Sequence, residues 1–290
     1  MISAIFEKFY QISKALNASR QVDDVRRPAA PFRSLLSQNW LRAFVVIGVW
    51  ALTTGFSVTP VVLDAISTGP RSSAQITVTN PNPASLPIEI TIQEVTMDEK
   101  GQAKDRRDAS AEFIILPPQA TLQAGQARVF TLQYVGEADI AESRYFEWGV
   151  DQVPVTMPEG QNAVQIVYSI SGILCVAPSA GKSVVDIVAT RIEKNQDGKF
   201  QPVLSFRNTG NAHAFLSKGT LRLSLRDKAG KTVWRQTLRE QEIEQLVGVG
   251  VLPAARTRDL TIPVDLPSSE GVVEAEVSLS KAPSRRAKRQ

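Results

Sequence analysis

Few side chains in this chain are of the kinds that make and break bonds. His213 is the sole histidine and Cys175 the sole cysteine among 290 residues. A general base, a nucleophilic thiol and a zinc ligand all draw on those types, and each needs partners. His213 stands in NTGNAHAF, a turn-forming run with no nucleophile motif beside it, and reads as a loop or structural histidine. Cys175 ends an apolar run and reads as a small buried hydrophobe. One histidine and one cysteine do not supply the ligand set of an ordinary zinc site. Gly181-Lys182-Ser183 has the tail of a phosphate loop, but Val176 stands where the leading glycine belongs and a strand-like run follows. Trp148 and Trp234 read as core or sheet residues. No catalytic constellation, cofactor box or metal site can be assembled, so neither an enzyme nor a cofactor is expected.

The remaining chemistry is that of the main chain. Residues 163–178 read AVQIVYSISGILCVAP, in which Val164, Ile166, Tyr168, Ile170 and, past Gly172, Leu174 alternate with Gln165, Val167, Ser169 and Ser171. A period of two marks a β-strand with unlike faces. Strands in soluble domains usually run about 5–6 residues, and this one could run twice that. A long apolar strand with unpaired backbone groups invites another chain, and soluble proteins normally blunt such edges. Either it is an interior strand of its own sheet, or it is lent to a partner.

The elements that must hold this strand are themselves strands. From Phe56 onward alternating runs are separated by turn residues every 8–12 positions, the spacing of an all-β sandwich. Strands are expected at 56–63, 75–80, 87–95, 113–116, 121–122, 128–135 and 145–153, with a charged loop over 100–108. A second series is expected at 184–192, 202–208, 220–227, 232–238, 259–264 and 272–279, with at most a helical turn within 240–247. The expected architecture is all-β: two immunoglobulin-like β-sandwich domains in tandem, 56–178 and a smaller one at 179–280. A 1–55 extension with a signal-like segment precedes them and a basic disordered tail, 281–290, follows.

In the extension, Ala43–Leu52 is a run of apolar residues behind Arg42, ending in Thr53-Thr54-Gly55. That pattern reads as a secretory leader cleaved near Gly55, and the run is short for a bilayer span. An uncleaved anchor is the alternative. Residues 1–42 read either as an amphipathic surface helix (Ile2, Ile5, Phe6, Phe9, Ile12 and Leu16 at helical spacing) or as sequence upstream of the true start. Seven basic against three acidic residues give residues 1–55 a net charge of +4, equal to that of the whole chain. The tail adds Lys281, Arg285, Arg286, Lys288 and Arg289, so the body between is acidic. A body of that sign is a poor polyanion binder, and nucleic acid is not an expected partner.

In this order the segments resemble the periplasmic pilus-assembly chaperones of the PapD type. The likeness rests on SVTPVVLD, SAQITVTNPNPASLPIEITIQEV, PPQATLQAGQARVFTLQYVG and AESRYFEWGVDQVP in the first domain, and on RNTGNAH in the second. The resemblance implies a chaperone that binds pilin or fimbrial subunits by β-strand donation and passes them to an outer-membrane usher. It implies no catalysis, and contact with the membrane only through the signal or anchor segment. The inserting side chains would be Val164, Ile166, Tyr168 and Ile170. The family commonly anchors the subunit's terminal carboxylate with an Arg and a Lys, but Pro60 and Ile173 stand at those positions. Arg128 or Arg144 is the candidate substitute. Gly149 replaces the family's sixth-strand Asn, and the short loop over 155–162 matches the type that serves rod-like pili. The family's proline turn implies a cis bond at Leu116-Pro117. The alternative function is an exported or membrane-anchored structural or adhesive protein whose seventh strand stays paired within its own fold.

Overall fold

The structure, a computed structural model, describes residues 55–154 and 167–279. The signal-like run, the stretch holding Val164 and Ile166, and the basic tail lie outside the described residues. In chain order the first sandwich comprises β1 (Ser57–Thr59), β2 (Val62–Ile66), β3 (Ser73–Thr79), β4 (Leu86–Met97) and β5 (Ala103–Asp108). It continues with β6 (Phe113–Leu116), β7 (Gln119–Leu122), β8 (Ala127–Tyr134), β9 (Arg144–Gln152) and β10 (Ser169–Ala177). The second comprises β11 (Val185–Lys194), β12 (Phe200–Asn208), β13 (Ala214–Phe215), β14 (Gly219–Arg226) and β15 (Thr232–Leu238). Helix α1 (Glu240–Val247), β16 (Val251–Leu252), β17 (Arg256–Thr261) and β18 (Val272–Leu279) complete it.

In the first sandwich, one sheet has the order β1-β3-β8-β6 and the other β2-β10-β9-β4-β5, with β7 also pairing with β4. The alternation seen in the sequence decides which side chains meet between them. Ile76 and Val78 of β3, Ile88, Ile90 and Ile92 of β4, and Phe130 and Leu132 of β8 fill the core around Phe146 and Trp148. The second sandwich packs β11-β12-β17 against β15-β14-β18 around Leu204, Phe206, Leu221, Leu223 and Leu225.

Beyond the short pair β13–β16, which was not expected, three elements differ from expectation. The strand expected over 56–63 is broken in two: a cis Thr59-Pro60 bond ends β1, which pairs with β3, and the chain re-enters as β2 in the opposite sheet. Proline cannot donate to a ladder, so the change of sheet falls where a bond would be lost anyway. The charged loop over 100–108 is largely strand β5, an edge strand with polar side chains in solvent, which carries no apolar alternation to betray it. The helical turn within 240–247 is a full helix, closed at its start by the Glu242 carboxylate accepting the Arg239 N–H and stopped at Gly248. The cis bond at Leu116-Pro117 is present.

Each sandwich ties one of its turns with a buried asparagine. Asn80 Nδ2 donates to the carbonyls of Ala84, Leu122 and Gln123, and Asn208 Nδ2 to those of Ala212 and Leu252. A buried carbonyl left without a donor costs about 1–3 kcal/mol. Asn80→Leu should therefore lower the unfolding free energy by about 3 kcal/mol, read from chemical denaturation. A loss under about 1 kcal/mol would show that the turn does not need the amide.

Candidate functional site

Strand β10 is held differently along its two halves. Antiparallel to β9 it is paired throughout, from Ser169↔Asp151 to Val176↔Arg144. On the other flank β2 runs parallel to it, but only from Ile173↔Val62 to Ala177↔Ile66. Two bonds fix the phase: Ile173 N–H donates to Val61 O at 2.9 Å, and Tyr168 O accepts from Gln152 N–H at 3.0 Å. Backbone polar groups alternate sides along an extended strand. Ser169 and Ser171, in phase with Ile173, therefore aim N–H and C=O at the flank that β2 does not reach. Among the described residues, no strand pairs with that flank over Ser169–Gly172.

The side chains follow the same division. Leu174 and Val176 are buried in the first core, whereas Tyr168 and Ile170, on the same face, are only half-buried against its margin. Gly172 allows the close packing between the halves: an added Cβ would lie 2.2 Å from both Val61 O and the Trp148 ring. Since neither the backbone nor the buried indole can yield, Gly172→Ala should cost about 3 kcal/mol of stability, seen as a lowered melting temperature. A variant as stable as the parent would mean that β2 moves freely against β10.

The outer face of the same sheet changes character along its length. On β4, Glu89, Thr91 and Gln93 are exposed while Val95 and Met97 are buried. Val95 and Met97 meet Tyr145 and Cys175 of the first domain and Phe215 and Val251 of the second, with Val62 and Ile173 packed alongside. The second domain thus covers the apolar end and leaves the polar end beside Ser169 open. Burial pushes the Cys175 thiol up in pKa, as expected of a packing residue.

His213 lies in this domain junction. Its Nδ1 is 2.9 Å from Ser143 Oγ and its Nε2 3.1 Å from Asp64 Oδ1, and Lys218 Nζ lies 3.2 Å from Asp64 Oδ2. The sequence of groups matches a hydrolytic triad, but Ser143 is buried and its Oγ already accepts the His213 backbone N–H. These three groups therefore tie the domains together, and the Ser143 hydroxyl is engaged there. Burial by itself would raise the Asp64 pKa, yet the hydrogen bond from His213 and the charges of His213 and Lys218 hold it below the usual 3.8. A depressed carboxylate stabilises the fold fully above its unfolded pKa and ceases to do so as pH falls through the folded value. Asp64→Asn should therefore be less stable than the parent at neutral pH, with the gap closing in acid below that range. A gap independent of pH in denaturation at both conditions would refute this.

Of the side chains expected to insert, Ile170 lies on the half-open stretch and Tyr168 immediately before it, while Val164 and Ile166 lie outside the described residues. The two candidate anchors are placed elsewhere. Arg128 sits on β8 in the opposite sheet, in register with Val78. Arg144 is spent within its own domain: it donates to Glu94 at 2.6 Å, to Glu112 through both terminal nitrogens, and to the Tyr134 hydroxyl at 2.9 Å. Burial opposes its charge, but those carboxylates more than compensate and raise its pKa. Neither arginine stands on β2 or β10: Arg128 is on β8 and Arg144 on β9. Pro60 lies two residues before β2 and Ile173 pairs with its first residue, so both apolar replacements stand near the point where the open flank ends. Sequence reasoning missed Gly172 and Asp64; a glycine interrupting a strong strand was the available signal for the first.

Residues 57–182 match the model of the family described as pili and flagellar-assembly chaperone, PapD N-terminal domain. No curated protein matches the chain. Among solved structures, the CsuC–CsuE chaperone–tip adhesion subunit complex of Acinetobacter baumannii is similar at 16% identity, over 77% of this chain and 97% of the other, with TM-score 0.40. The E. coli chaperone DraB is similar at 13% identity, over 79% and 97%, with TM-score 0.41. The Pseudomonas aeruginosa chaperone CupB2 is similar at 12%, over 77% and 100%, with TM-score 0.39.

Proposed function

We propose that this chain, whose first domain belongs to the PapD family of pilus-assembly chaperones, holds pilin or fimbrial subunits in the periplasm by lending them β10. The observation that supports this reading is the half-open strand: Ser169–Gly172 have β9 on one flank and no described strand on the other. A subunit strand laid there would continue the sheet, and side chains on the core face of β10 would project into the subunit's own open core. Because Tyr168 and Ile170 are already half-covered, each would gain less than the about 1.5–3 kcal/mol of full burial. Residues before Ser169, with Val164 and Ile166, extend the same alternation and would supply more. Release then requires a competing strand, consistent with hand-over to an outer-membrane usher and with no cofactor. Export follows from the Ala43–Leu52 run behind Arg42.

Hydrogen exchange tests the reading directly. The Ser169 and Ser171 amides should exchange rapidly in the free chain and become protected when a pilin subunit is bound, while Leu174 stays protected in both. A purely structural or adhesive role for the two sandwiches requires Ser169 and Ser171 to be slow already, and unchanged by subunits.

A further inference from the structure

The row of outer-face residues that leads to the open flank is acidic and has no cation. Glu89 of β4 lies directly opposite Asp151 of β9, and Asp151 directly opposite Ser169 of β10. Like charges facing each other across two strands are unfavourable. Elsewhere on this sheet acids are neutralised: Glu147 by Arg106, and Glu94 by Arg107 and Arg144. Among the described residues neither Glu89 nor Asp151 forms an ion pair; Asp151 instead accepts the hydroxyls of Thr91, at 2.8 Å, and of Ser169. Between Asp151 and the flank stand only small side chains. Ser169 and Ser171 are exposed, and beside them Gly149 has no room for a Cβ, which would lie 2.5 Å from Thr91 Oγ1.

A strand added beyond β10 would lie two strand spacings, about 10 Å, from β9. From there a long basic side chain laid over Ser169 reaches the Asp151 carboxylate, with its stem on small polar neighbours and its charge over the acids. A short or acidic side chain at that place would leave the two carboxylates opposed. Resting on the strand-donation reading, we propose that the captured strand carries a lysine or arginine on its outward face opposite Ser169, and that Asp151, with Glu89 behind it, selects for it. The face of the captured strand that enters the core would thus set affinity, and this outward contact would set which segments are accepted and in what register.

The probes are three labelled peptides of alternating valine and threonine, differing only in one central outward residue: lysine, threonine or glutamate. Against the full chain at low salt, the lysine peptide should bind about threefold tighter than the threonine peptide and the glutamate peptide about threefold weaker, as expected of a partly exposed ion pair. Raising the salt should compress the series. Asp151→Asn, whose amide keeps an acceptor for one of the Thr91 and Ser169 hydroxyls and offers the other a donor, should abolish most of the preference. Ser169→Lys, which brings the cation in on β10 itself, should abolish it independently and leave the fold intact. Equal binding of all three peptides to the parent chain overturns the charge selection alone. A preference that survives both variants does the same. Failure of every peptide to bind overturns strand donation as well.

Discussion

Ile170→Asp should leave the isolated chain folded and, on the strand-donation proposal, abolish its capture of a pilin subunit. Ile170 lies at the margin of the first core, half-buried, so aspartate there remains within reach of water in the free chain. The folded state loses part of one side chain's burial, about 1 kcal/mol. In the complex the same carboxylate would face the subunit's apolar interior without a partner. Loss of the isoleucine contact and desolvation of the acid together come to about 4 kcal/mol or more, about a thousandfold in affinity. Protection of a co-expressed subunit from aggregation is the measurement, with Ser171→Thr on the outward face as control. A chain that protects the subunit as well with aspartate as with isoleucine would remove β10 from the mechanism.

The second large effect concerns the union of the two domains. Val95→Lys should lower stability by about 3 kcal/mol or more, whereas Gln93→Lys, on the same strand and face, should cost under about 1 kcal/mol. Val95 is 3% exposed, enclosed by Met97, Tyr145, Phe215 and Val251, and an ammonium group there would lack both water and a counter-ion. Gln93 is exposed and stands in register with Asp108 and Glu147, which would receive the new charge. Because the Tyr145 hydroxyl also accepts the Ala254 N–H at 2.7 Å, the first change should loosen the junction before either core melts. Small-angle scattering should then show a larger radius for Val95→Lys with unchanged strand content. Equal effects of the two lysines would mean that the second domain is not seated on that face.

Most of the strands were legible because burial on one face imposes a period of two. The runs around Ile76, Ile90, Phe130 and Leu223 could hardly be anything else. Elements that owe their place to neighbours were not legible. β5 is charged on both faces and exists because β4 offers it a ladder, and the break at Pro60 depends on a choice between sheets that no local pattern records. The site was half legible: alternation singled out β10, but it could not say that β2 covers one half and leaves the other. Burial of Cys175 was legible, but its cover was not: Ile173 and Cys175 fall on the strand's second face, where residues of the second domain pack. The engagement of Arg144, the candidate anchor, was not legible because its acids, Glu94 and Glu112, are remote in sequence.

Because β2 occupies the far flank of β10 only from Ile173 onward, the Val61 carbonyl just before it, which accepts the Ile173 N–H, works as a fixed zero mark. On the strand-donation proposal, any guest strand would be counted outward from that mark and could not slide past it toward Ala177. A slip by one residue would turn every guest side chain to the wrong face. The molecule would thus carry its own ruler, cut from a neighbouring segment of its own sheet.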